Sequence, residues 1–284
     1  QAAIYTISPE YGYALAPSGE ASQVRAREFA NEALAIDPDN ALAFGVIGLS
    51  RQSDMSQKTG DSTYGAIMEQ YNRALEIEPD NLSVLNWRGL GYLTMGYFSE
   101  AERDFRRCSD NEPTYAPCRT NLALALIGQQ RRDEANQVMI DSAKRGALGP
   151  DIATLMTLAD LGQPEAFYWV AAGLRQLRGW HSNEELYNAL LRPLDDHEAL
   201  RQRLQRFLEE KLFEGTTAGE LLIALGDYHR NTNGYSFWLK PYDKFRQSQD
   251  YKNLIRRQGI DDYWREFGFP DMCKPTGEDD FECR

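Results

Sequence analysis

Residues 82–113 read LSVLNWRGLGYLTMGYFSEAERDFRRCSDNEP. Apolar and small residues recur through this stretch at helical spacing, and Pro113 closes it, because proline lacks the N–H and clashes with the preceding turn. The pattern predicts two antiparallel helices. Gly89 and Ala101 fall where they would cross, and only small side chains allow that approach. Tyr92, Phe98 and Phe105 would fill the space around them. Working outward, Pro113 follows Pro79 by 34 residues, and Ala135 follows Ala101 by 34. Pro79 follows Pro38 by 41, which reads as one repeat with seven extra residues in the polar stretch Ser53–Ser62. Asp39-Asn40 and Asp80-Asn81 supply turn and N-cap oxygens after each proline. Repeats of this period are helix pairs that stack, because each pair leaves an apolar face that the next must cover.

At these positions the chain resembles the tetratricopeptide repeat (TPR) family. The copy at 82–113 carries Gly89, Tyr92, Gly96, Phe98, Ala101, Phe105 and Pro113 at the family's signature spacings. The copy at 41–79 carries Phe44, Ile47, Gly48, Tyr64, Tyr71, Ala74 and Pro79. The copy from Ala116 carries Leu122, Ala123, Leu126 and Ala135 without a closing proline. An incomplete copy with Ala26, Ala30 and Ala33 ends at Pro38. The resemblance covers about residues 21–147. It implies an all-α fold, a TPR-type right-handed α-solenoid with a concave inner face. First helices line that face in the family, so Ser83, Asn86, Trp87, Leu90, Thr94 and Asn121 are the candidate partner-binding groove. Core packing is the competing role for Trp87. The family's carboxylate-binding variant repeats Asn at a position held here by Val46, Trp87 and Asn121. Capture of C-terminal carboxylates is therefore not expected.

The chain divides into repeats over residues 1–147 and a degenerate TPR-like helical region with a cysteine-bridged tail over residues 148–284. In the second part Ile152, Leu155, Met156, Leu158 and Ala159 share a helical face. Glu165–Arg178, Asn183–Leu191, Asp195–Phe213 and Ala218–Arg230 read as further helices, and no strand is expected. Tyr242–Arg246, Asp250–Ile260, Asp262–Cys273 and Asp279–Cys283 are similar to the end of the C-terminal periplasmic repeat domains of proteobacterial membrane-tethered regulators. Those proteins carry a cytoplasmic winged-helix DNA-binding domain or a class III adenylate cyclase domain before one membrane helix. The resemblance implies a periplasmic or otherwise extracytoplasmic sensor domain. Gln1 is not a natural start, so residues upstream are expected to have been removed.

Composition narrows the function further. Lys plus Arg is 31 and Asp plus Glu is 43, a net charge of −12 in 284 residues of which 42% are apolar. Such a surface repels phosphate backbones and anionic membranes, which argues against a nucleic-acid partner. Apolar runs such as Leu221–Leu225 are too short to span a bilayer. His181, His197 and His229 stand in no metal-ligand spacing, and Asp195-Asp196-His197-Glu198 reads as a capped helix start. No P-loop, GxSxG or dinucleotide fingerprint occurs. The expectation is a non-enzymatic module without a cofactor that binds a protein or peptide. The alternatives are a structural subunit docked permanently on a larger assembly, or a small-ligand sensor with a pocket among Trp169, Trp180, Tyr187 and Trp238.

Cys108/Cys118 and Cys273/Cys283 form two close pairs, each ten residues apart. With no CxxC and no neighbouring His, local disulfides in an oxidising compartment are the leading reading, with a metal site or inert thiols as alternatives. Cys108 falls on a second helix and Cys118 early in the next first helix, segments that should lie side by side.

Overall fold

Asn40, Thr63 and Asn81 each turn a side-chain oxygen onto the backbone N–H three residues on, at 3.0, 3.3 and 3.2 Å, and a helix starts at each. The computed structural model describes residues 20–57, 63–147, 237–238 and 242–284. The helices expected between 152 and 230 lie outside these residues. Among the described residues seven helices fall in the repeat region: α1 Glu20–Ile36, α2 Ala41–Gln57, α3 Tyr64–Ile77, α4 Leu82–Met95, α5 Phe98–Asn111, α6 Ala116–Gly128 and α7 Arg132–Lys144. The start of the expected insertion, Ser53–Gln57, lengthens α2. Among the described residues no helix is long and apolar enough to cross a membrane.

Each helix packs on the next, and α2, α4 and α6 also touch one another as a row. That is a stack of helix pairs, α2/α3, α4/α5 and α6/α7, with α1 as the second helix of an incomplete pair. Small residues set the crossings. A Cβ on Gly48 would lie 2.7 Å from the Tyr71 ring, and one on Gly89 would lie 2.5 Å from the Phe105 ring. These are the same two positions of successive pairs. In the third pair they become Ala123 and the more pliable Met139, both buried. Between neighbouring pairs, a Cβ on Gly128 would meet Phe98 at 2.4 Å.

Charge contacts repeat as well. Arg73 reaches Asp39 at 3.2 Å, and Arg107 reaches Asp80 at 2.6 Å, each tying a second helix to the turn one repeat before it. The third pair has lost this bond, since Thr114 and Asp141 occupy those places. Arg88 grips Asp104 with two bonds of 2.8 and 2.7 Å inside the second pair, and Asp104 is buried. Removing one partner of such a pair would leave a charge stranded in the interior.

The chain end forms a small unit of its own: α8 Asp243–Arg246, α9 Gln249–Arg257, α10 Ile260–Phe267, and strands β1 Cys273–Pro275 and β2 Phe281–Cys283. The strands pair antiparallel with Cys273 opposite Cys283, which corrects the expectation of a chain without strands. The physical reason is the cross-link between facing positions, with Cα atoms 4.1 Å apart, and the burial of Phe281. Phe281 packs edge-on to Trp264 at 5.2 Å. Asp280 accepts from Lys252 and Arg256, each at 2.7 Å, and these bonds hold its carboxyl well below the usual range, at about 2. Arg246, buried, donates to the carbonyls of Phe237 and Arg284 and to Asp243, closing the unit.

Candidate functional site

The row of first helices carries the expected groove residues, and most of them are engaged inside the fold. Asn121 donates to Asn86 at 2.9 Å, joining α6 to α4 through two buried amides. Thr94 donates to the Leu90 carbonyl at 2.9 Å and also bonds Tyr64, whose phenol is pushed up by burial with the Thr94 bond opposing. Ser83, half-buried, bonds Tyr115, again a phenol raised by burial. Trp87 is 8% exposed, and its ring would lie 3.2 Å from a Cβ on Gly45. It packs across the contact between α2 and α4, so the structure gives it the core role rather than a place on an open groove. Ser83 and Leu90 keep partial exposure, while Asn86, Trp87, Thr94 and Asn121 are buried.

A second concentration of contacts lies at the turn between α4 and α5, and the sequence patterns did not point to it. Gly96 adopts φ +83° there, and Tyr97 N–H bonds the Tyr92 carbonyl at 2.9 Å, a Schellman-type helix end. The last carbonyls of a helix have no partner within it. The tail supplies two. Trp238 donates its indole N–H to the Leu93 carbonyl at 2.7 Å, and Trp264 donates to the Met95 carbonyl at 2.9 Å. Tyr97 donates to the Gly268 carbonyl at 2.5 Å, and Phe98 meets Trp238 edge-on at 5.2 Å. A Cβ on Gly96 would lie 2.8 Å from Trp238 and 3.2 Å from Pro270. One repeat on, Gln130 takes the same left-handed conformation at φ +63° and carries a full side chain. Gly96 is thus glycine both for its backbone angle and for the tail that lies on it. The only cue in the sequence was two tryptophans, Trp238 and Trp264, in a tail otherwise rich in charge.

Trp238, expected in a small-ligand pocket, is committed to this docking. Trp169, Trp180 and Tyr187, its expected companions, lie outside the described residues, as do the three histidines. Cys108 and Cys118 are bridged with Cα atoms 6.1 Å apart, linking α5 to α6 across the turn between the second and third pairs.

Stacked helix pairs with small–large crossings and left-handed turns give the described repeat region the fold of a TPR-type α-solenoid. No protein-family model matches the chain. It is similar to Tetratricopeptide repeat protein 14 of Mus musculus, 35% identical over 86 residues that make up 30% of this chain and 11% of that protein. The chain therefore spans about a tenth of that relative's length. Among solved structures it is similar to Pseudomonas aeruginosa pilF, with 20% identity, a TM-score of 0.45, and 76% of this chain and 94% of that chain covered. A tetratricopeptide repeat protein from Parabacteroides merdae is similar at 15% identity and a TM-score of 0.45, with 91% of this chain and 99% of that chain covered.

Proposed function

We propose that the chain is a non-enzymatic protein-interaction module and that it works outside the cytoplasm as the sensor part of a membrane-tethered regulator. The observation that carries the reading is the stack of repeats, a scaffold that offers extended surface to protein partners. Two disulfides, one inside the stack and one inside the tail, support an oxidising compartment. The resemblance of the ending to periplasmic repeat domains of winged-helix or cyclase regulators supports the regulator. Its partner in this reading is a protein or peptide.

Thiol labelling in the native cell tests the compartment. All four cysteines should resist a maleimide until a reductant is added, and free thiols at all four would remove the extracytoplasmic reading. A photo-crosslinking residue at Leu90 or Ser83 tests the partner. One adduct of defined mass is expected, and a stable complex that survives purification at fixed stoichiometry would favour the permanent structural subunit instead.

A further inference from the structure

Docking of the tail builds a surface that neither segment has alone. Phe267, on α10, is 59% exposed, far more than any other described aromatic side chain of the tail. Its ring lies 4.4 Å from that of Tyr263, which lies 5.8 Å from Tyr97, which lies 6.4 Å from Tyr92. Four rings from α4, its turn and α10 therefore run as one strip, and all four keep some exposure. Two carboxylates border it. Glu100, half-buried, acts on the phenols of Tyr92, Tyr97 and Tyr263 alike, and Glu266, exposed, acts on Tyr263. The Tyr263 phenol is pushed up to about 12 by burial first, with Tyr92, Glu266 and Glu100 adding to it. Neither carboxylate has an ion-pair partner among the described residues. At the far end Arg88 already sits over the Tyr92 ring, 5.8 Å from its centroid.

We infer that the strip of Tyr92, Tyr97, Tyr263 and Phe267, bordered by Glu100 and Glu266, is a docking surface for a protein segment bearing arginine or lysine side chains. Arg88 and the exposed Arg103 act on Tyr92, whereas Tyr97 and Tyr263 feel only carboxylates and other phenols, so over that part of the strip charge complementarity selects this occupant. Ring faces attract a cation electrostatically, and an adjacent unpaired carboxylate adds a charge-assisted partner. An acidic segment would meet two carboxylates on a chain of net charge −12. A purely apolar segment would bury Glu100 without a partner, which is costly. The inference rests on the interaction-module reading, but the strip uses none of the groove candidates of the first-helix row, so each can fail alone.

The test uses the full chain and a fluorescein-labelled hexa-arginine peptide, with hexa-glutamate as its opposite, read by polarisation at low ionic strength. Exposed cation–π contacts are worth about 0.5–1 kcal/mol, so Phe267→Leu should weaken binding about two- to fivefold while Phe267→Tyr retains it. Combining Phe267→Leu with Glu100→Gln should weaken it by roughly tenfold or more. Glu69→Gln, exposed on α3, should leave binding unchanged. Unchanged melting temperatures show that the variants fold. Equal affinity across the variants, equal weakening by Glu69→Gln, or no binding of hexa-arginine would each overturn the inference. An adduct from Leu90 in the separate crosslinking experiment would stand regardless.

Discussion

Replacing Gly96 with alanine should cost the protein about 2–4 kcal/mol, from two separable sources. The first is backbone strain. Gly96 has φ +83°, and an L-residue held in the left-handed region costs roughly 1 kcal/mol or somewhat more. Gln130, in the same conformation one repeat later, shows that the fold tolerates this cost alone. The second is the collision of the new Cβ with Trp238 at 2.8 and 2.9 Å and with Pro270 at 3.2 Å. The indole cannot slide away freely, because its N–H is bonded to the Leu93 carbonyl at 2.7 Å and its ring packs on Phe98. Overpacking of this kind costs about 1–3 kcal/mol. A double-mutant cycle in urea separates the two. In the wild-type chain Gly96→Ala should lower stability by the whole amount. In a Trp238→Ala background the strain, roughly 1 kcal/mol, and the milder contact with Pro270 should remain. An equal cost in both backgrounds would refute the docking of the tail on this turn.

Gln130→Gly, by contrast, should raise stability in urea by about 0.5–1 kcal/mol, since it relieves the strain of a left-handed non-glycine residue. Trp87→Ala should destabilise strongly, by about 3–5 kcal/mol, because it empties the contact between α2 and α4; a melting temperature within a few degrees of wild type would return Trp87 to the groove. Joint replacement of Cys108 and Cys118 with alanine should cost about 2.5–3 kcal/mol by loop-closure entropy, measured without reductant; no change would mean the bridge is not formed. Asp280 has a folded pKa of about 2, below its ordinary 3.8, so its contribution is full above about pH 4 and is lost as pH falls through 2. Tryptophan fluorescence between pH 5 and about 1.5 should show the tail loosening in that window, and Asp280→Asn should flatten the change.

The repeats were legible because their determinants are local and periodic. Gly48 and Gly89 hold one position of successive helix pairs and Tyr71 and Phe105 another, and the structure sets each small residue against its large partner. The caps Asn40 and Asn81 follow prolines that end helices for a reason visible in one residue. The groove was only partly legible. Position on a first helix does not say how deep a side chain lies, and Asn86, Trp87, Thr94 and Asn121 find partners in neighbouring helices that one repeat read alone does not include. The tail's place was not legible at all. Trp238 and Trp264 bond carbonyls some 145 and 169 residues away, and such backbone acceptors carry no mark in the sequence. The strands were missed because three-residue runs such as Cys273-Lys274-Pro275 are too short for alternation to register, and their pairing depends on the bridge.

Two indole groups hold the tail on the second helix pair. The most direct measurement is hydrogen exchange of the indole N–H signals by NMR in the full chain, assigned with single Trp→Phe variants. The Trp238 and Trp264 signals should be strongly protected and should show nuclear Overhauser contacts to protons at the end of α4. Exchange of both at the rate of a free indole, without those contacts, would contradict the account.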